Sequence, residues 1–169
     1  KGCGDAIYSF MMDRLKAYYK DANIDRNVYE AVLAVSPDSP LDFHLRVEAL
    51  SEFTQSEDSK SLIESNKRIA NILKDSNEKN EKLNPKILID DSEVKLFNAT
   101  VSLSKQLSEI KDYKEVMKSL IDLKDLIDSF FDNVMVNADD EKLKSSRLAL
   151  IRRIRVLFLS VADISYLSS

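Results

Sequence analysis

Glycine and proline are nearly missing from this chain: Gly2 and Gly4 stand at one end, and Pro37, Pro40 and Pro85 are the only prolines among 169 residues. So few turn formers leave little room for the hairpins of a sheet protein, whereas abundant Leu, Ile, Ala, Lys and Glu favour helix almost throughout. Two glycines also cannot build a phosphate-cradling loop. The patterns GxxxxGK(S/T), GxGxxG and GxSxG do not occur, which argues against nucleotide hydrolysis. Histidine and cysteine occur once each, as His44 and Cys3, and with neither HExxH nor CxxC a metal site built from them is excluded. A single cysteine forms no intramolecular disulfide, so a reducing, cytoplasmic setting is the expectation. Apolar runs such as Val156–Phe158 fall far short of a bilayer span, and no secretory leader is recognised, so no membrane partner is expected. The chain opens at Lys1 rather than at a methionine, as a fragment of a larger subunit would. Positive charge is not in excess either, with 25 Lys and Arg against 29 Asp and Glu and a net charge of −4. Nucleic-acid binders are usually basic as whole domains, so any such role must come from local clustering.

What is present is helical periodicity and enough apolar content, 44%, for a real core. Ile7, Phe10, Met11, Leu15 and Tyr18 recur at three- and four-residue steps over Asp5 to Tyr19. Asp25 caps a short helix with Val28, Ala31, Val32 and Val35, and Ser39-Pro40 followed by Asp42 opens a third with Leu41, Leu45, Leu50 and Phe53. A fourth runs from about Asp58 to Lys74. Beyond a polar linker, Asp91 or Ser92 caps a long helix with Val94, Phe97, Val101 and Leu107. Asp112 starts another, carrying Val116, Leu120, Leu123, Ile127 and Phe130, and the two should pair antiparallel. Asp139 caps the last helix, which runs to about Tyr166. The expectation is an all-α protein, an antiparallel helical bundle of about six to eight helices. It forms one domain, 1–169, with helical halves 1–75 and 92–169 joined by a loop at 76–91.

The last helix carries six Lys or Arg between Lys142 and Arg155 and no carboxylate from there to Asp163. Leu143, Leu150, Ile154, Leu157, Val161 and Ile164 form its apolar stripe, and Arg147 occupies the missing position at the stripe's edge. Lys144, Arg155 and Arg152 spread beside it over roughly 140° of arc. Such a face can grip phosphate. Equally, Arg147 can pair with a carboxylate such as Asp128 or Asp132 while the others are merely solvated. On the helix from Asp58, Leu62, Ile69 and Leu73 make the stripe with Asn66 in the remaining heptad position. Lys60, Lys67, Asn71 and Lys74 share the polar face with Glu64. Lysine charge and asparagine's paired donor and acceptor suit RNA, though an ordinary wet face with an inter-helix Asn66 has the same pattern. Tyr8, Tyr18, Tyr19, Tyr29, Tyr113 and Tyr166 are candidate stacking platforms, mostly at core-compatible positions. Phe130-Phe131 reads as a core plug. His44, between Phe43 and Leu45, suits an inter-helix hydrogen bond better than general base work. Asp90-Asp91 and Asp139-Asp140 are explained as helix caps without catalysis.

Three segments carry a family resemblance: FMMDRLKAYYKDANIDRNVYEAVLAV at Phe10 to Val35, SNKRIANIL at Ser65 to Leu73, and SFFDNVMVNADDEKLKSSRLALIRRIRVLFLSVADISYL from Ser129. In this order and spacing they resemble the C-terminal DALR-type anticodon-binding domain of bacterial glycyl-tRNA synthetase β subunits, over nearly the whole chain. Arginyl-tRNA synthetases have a related domain, but FFDNVMVN with NKRIANIL resembles the glycyl branch. The resemblance implies a non-catalytic segment that meets the anticodon arm of glycine tRNA. Aminoacylation would lie on a partner α subunit, with the remainder of the β subunit as a further partner. It implies no cofactor here, ATP being used by the parent complex. Taken with the basic faces of the two helices, the expected RNA-facing residues are Lys67, Arg68 and Asn71 on one helix and Lys144, Arg147, Arg152 and Arg155 on another, with Arg14 and Arg26 as second-rank candidates. Where the family commonly has Asn-Arg-Leu in the final helix, this chain has Ser146-Arg147-Leu148. Arg147 carries over; an Asn contact does not. The competing reading is a structural or subunit-interaction bundle without direct RNA contact.

Overall fold

The computed structural model describes residues 2–76 and 83–167. The centre of the expected linker and the side chains of Cys3 and Tyr8 lie outside the described residues. Among the described residues the chain is all-α, as expected, with no strand. The helices are α1 (Gly2–Asp21), α2 (Arg26–Leu33), α3 (Pro40–Thr54), α4 (Ser59–Asp75), α5 (Asp91–Leu107), α6 (Tyr113–Ile121), α7 (Lys124–Asn133) and α8 (Glu141–Leu159). Two 3-10 turns, Pro85–Ile87 and Ile164–Leu167, complete it.

Local capping chemistry sets most helix starts. Asp25 accepts from Asn27 N at 2.7 Å, Ser39 Oγ from Asp42 N at 3.1 Å behind Pro40, and Asp112 from Lys114 N at 2.9 Å. Each satisfies a first-turn N–H that the helix itself leaves unpaired. Two expected caps shift by one residue. Asp90, not Asp91 or Ser92, caps α5 in a capping box whose Glu93 side chain reaches back to Asp90 N at 3.1 Å. Asp140, not Asp139, caps α8 and accepts from the N–H groups of Lys142 and Leu143.

The helix expected from Asp112 through Phe130 breaks at Asp122-Leu123. Neither residue is a helix breaker; the cause is tertiary. Leu123 N turns back to Leu120 O at 3.2 Å, Leu123 is buried, and the chain swings so that α6 packs on α3 and α7 on α5 and α4. Packing against α5 therefore falls mainly to α7. The last helix also stops early, at Leu159, and Val161 and Ile164 are buried by the turn beyond it rather than by α8. There Asp163 N donates to Ala31 O at 2.9 Å, and Ile164–Leu167 packs on α2 and α4. Both halves thus share one core, with Phe43, Leu50, Leu62, Ile69, Phe130 and Phe158 fully buried.

Arg46 explains where α8 ends. Its Nη1 donates to Ser160 O at 2.8 Å and Val161 O at 2.9 Å, placing a cation on the negative end of the helix. Asp42 holds Arg46 Nε at 3.0 Å and accepts from the Tyr113 hydroxyl at 2.6 Å, while the guanidinium lies 4.4 Å from the Tyr113 ring centroid. Burial alone would raise the Asp42 carboxyl, but these hydrogen bonds and the Arg46 charge outweigh it and hold the group below the usual carboxylate range.

Tyr19, Tyr29, Phe43 and His44 join α1, α2 and α3 in an aromatic cluster, and His44 forms the inter-helix bond its position suggested, 2.8 Å between Nδ1 and the Tyr19 hydroxyl. Burial, with nearby Tyr18, Glu48 and Tyr29, pushes the Tyr19 hydroxyl up to about 12. An unfolded tyrosine ionises near 10, so above that pH the unfolded state holds fewer protons and stability falls as pH rises. Urea unfolding is expected to lose on the order of 2 kcal/mol between pH ~10 and ~12, a loss absent from Tyr19→Phe.

Candidate nucleic-acid interface

The middle of α8 is buried nearly all round, from Ser146 through Ile151, because helices and turns from both halves pack on it. Arg147, expected at the edge of an apolar stripe, is therefore inside. Its Nε pairs with Glu93, which is fully buried, and its Nη1 donates to Met135 O at 2.7 Å. Burial thus places Arg147 in an internal ion pair rather than on a phosphate-facing surface. Its partner is neither Asp128 nor Asp132. Asp128 instead accepts from Ser61 Oγ and Ser65 Oγ on α4 and sits 3.6 Å from Lys124 Nζ.

Arg155 is also turned inward. Its Nη2 meets Asp163 Oδ2 at 2.6 Å and its Nη1 donates to Asn66 Oδ1 at 3.1 Å, so buried Asn66 is an inter-helix contact between α4 and α8. Lys144 is half-buried, 3.8 Å from Glu141. What remains outward on α8 is a strip of Lys142, Arg153, Val156 and Ser160, with half-buried Arg152 beside it. Beyond Glu141, α8 holds no carboxylate.

On α4, Lys67 and Asn71 are exposed, away from the packed face of Leu62, Asn66 and Ile69. Arg68 is exposed on the side toward α7, its guanidinium 4.3 Å from the Phe131 ring centroid. Arg14 lies over Phe10 at 4.9 Å on α1, and Arg26, the first residue of α2, sits 3.6 Å from Glu30. Of the tyrosines, Tyr18 and Tyr166 are exposed, whereas Tyr19 and Tyr29 are buried and Tyr113 is held by Asp42. α4 and α8 are joined through half-buried Arg155 and the neutral side chain of buried Asn66.

Two cations that sequence reasoning passed over stand out here. Arg153 lies about 100° around the helix from Arg152 and is exposed. Lys105 approaches from α5, across a groove of about 460 Å³ shared with Arg152 and Arg153. Arg153 belongs to the run already recognised as basic, so the signal was present. Lys105 carries no local signal, since only the α5–α8 packing brings it near.

This is an all-α domain of the anticodon-binding class: the profile of the DALR anticodon binding domain matches residues 62–164, from α4 to the last turn, and the chain belongs to that family. More particularly, it is similar over nearly its whole length to the Glycine–tRNA ligase beta subunit. It is 41% identical to that of Vibrio parahaemolyticus over 165 residues, 95% of this chain and 24% of the relative. For Mannheimia succiniciproducens the identity is 40%, covering 96% and 24%, and for Pseudomonas aeruginosa 36%, covering 98% and 25%. The chain spans about a quarter of the length of these relatives. Ser146 is buried and accepts from Asn84 N at 3.0 Å, fixing the start of the 3-10 turn to α8.

Proposed function

We propose that this chain holds the anticodon arm of glycine tRNA for a cytoplasmic glycyl-tRNA synthetase, as part of its β subunit. Aminoacylation and the use of ATP belong to the complex it forms with an α subunit. In this reading the chain itself neither catalyses a reaction nor carries a cofactor. The observation that carries it is the outward strip of α8, inside the segment matched by the anticodon-binding family, where exposed Lys142 and Arg153, with half-buried Arg152 beside them, stand without an intervening carboxylate. Such a strip supplies phosphate contacts that position an RNA despite an overall acidic chain. Lys67, Asn71 and Arg68 of α4 are the further candidates, and Arg147 and Arg155 act from within by fixing α8 on the core.

Titrating glycine tRNA against the same tRNA with a swapped anticodon tests this reading. The native tRNA is expected to bind at least about tenfold more tightly, since each mismatched base contact costs of order 1–3 kcal/mol. Equal affinities would defeat the anticodon assignment.

A subunit-interaction role is favoured by a different observation. On α1, Met12, Leu15 and Tyr19 face the core, yet Ile7, Phe10, Met11 and Tyr18 are exposed on other sides of the helix. A helix apolar on more than one side suits a second packing partner, such as the rest of a longer subunit.

A further inference from the structure

The groove between α5 and α8 combines apolar and basic lining residues. Its floor is aliphatic, made by Leu83, Val101, Ala149, Val156 and Leu157, and its rim holds Lys105, Arg152 and Arg153. Among the described residues that line it there is no carboxylate. Lys105 and Arg153 are exposed, and Ser104 adds an exposed hydroxyl to the rim. Val156 is 59% exposed, an unusual position for a β-branched side chain flanked by two arginines. Thr100 is not available as a donor, because its Oγ1 already donates to Leu96 O at 2.7 Å.

We infer that this groove seats one unstacked nucleotide of a single-stranded RNA segment, with Lys105 and Arg153 on the phosphates and the base lying over Val101, Val156 and Leu157. Three physical points carry the assignment. A volume near 460 Å³ is within the range of small-ligand clefts, so a base and its sugar fit where a duplex does not. Cations from two different helices bracket the cleft, as successive phosphates of a strand require, and the arginine plane can stack on an exposed base. The floor offers apolar contact but few hydrogen-bond groups, so it selects single-stranded RNA rather than a particular base. The inference rests on the tRNA reading and deepens it by naming where an extruded loop nucleotide goes, and it adds Lys105 to the contact residues.

The test uses the 169-residue chain with three probes: glycine tRNA, a short single-stranded oligoribonucleotide, and the same oligonucleotide annealed into a duplex. The single strand is expected to compete with glycine tRNA, and the duplex to compete at least about tenfold less well. Lys105→Ala and Arg153→Ala are each expected to weaken both single-strand and tRNA binding and to flatten the salt dependence by about 0.7 to 1 in log–log slope. Val156→Ala should weaken binding with the slope unchanged, because it removes base contact and no charge. Lys20→Ala, an exposed cation on α1, should change neither. Unchanged binding in Lys105→Ala and Arg153→Ala would overturn the groove while leaving tRNA binding in place, and an unaffected Val156→Ala would overturn the base seat. Loss of anticodon discrimination with single-strand binding retained would instead sink only the anticodon reading.

Discussion

Replacing Arg147 with methionine is expected to remove about 3–5 kcal/mol of stability, because it leaves the Glu93 carboxylate charged, buried and without its partner. For a chain of this size the corresponding fall in Tm is on the order of 10 °C. Glu93 cannot swing out to recover solvent, since its Oε2 also accepts from Ile89 N at 3.0 Å and Asp90 N at 3.1 Å and so holds the start of α5. Arg147 meanwhile ties α8 to Met135 O, in the link after α7. Removing either member therefore loosens three elements at once. Urea unfolding at neutral pH measures the effect, and a change below about 1 kcal/mol would contradict a structural ion pair at this position.

The opposite pattern is expected from the double substitution Lys142→Glu with Arg153→Glu. Both side chains are exposed, so the unfolding free energy should stay within about 0.5 kcal/mol of the original. Glycine tRNA affinity should fall on the order of 100-fold near physiological salt, because two phosphate contacts are lost and two carboxylates now repel the backbone. The two experiments separate the basic residues of α8: Arg147 and Arg155 pair with Glu93 and Asp163 and hold the helix in place, whereas the outward group is the one proposed to meet RNA.

That division explains what could and could not be read from the sequence. Capping by Asp25, Ser39 and Asp112 depends on atoms two or three residues away, and it was legible. The break between α6 and α7 was not, because Asp122 and Leu123 are compatible with helix and only their different packing partners force the turn. Periodicity put Arg147 at the margin of an apolar stripe, which left burial or exposure open. Its partner Glu93 lies 54 residues away and reads locally as a capping-box carboxylate, so nothing nearby pointed to the pair. Arg155 could be assigned only once α8 was known to end at Leu159, since that stop brings Asp163 back against it. Lys105 joined the candidate surface through the α5–α8 contact alone.

Family likeness was the part of the function most directly readable, because it rests on the order of three segments rather than on the geometry of any one. The acidic total charge remained an objection to RNA binding. Any such binding must be local: α8 holds no carboxylate beyond Glu141 and its outer strip is basic.

Measuring the affinity for glycine tRNA from ~50 to ~200 mM salt, for the unmodified chain and for Lys142→Glu with Arg153→Glu, tests that account most directly. A local basic strip predicts a log–log slope of about −2 to −3 for the unmodified chain, flattened by roughly 2 in the variant. A slope near zero in the unmodified chain, or one the substitutions leave unchanged, would contradict it.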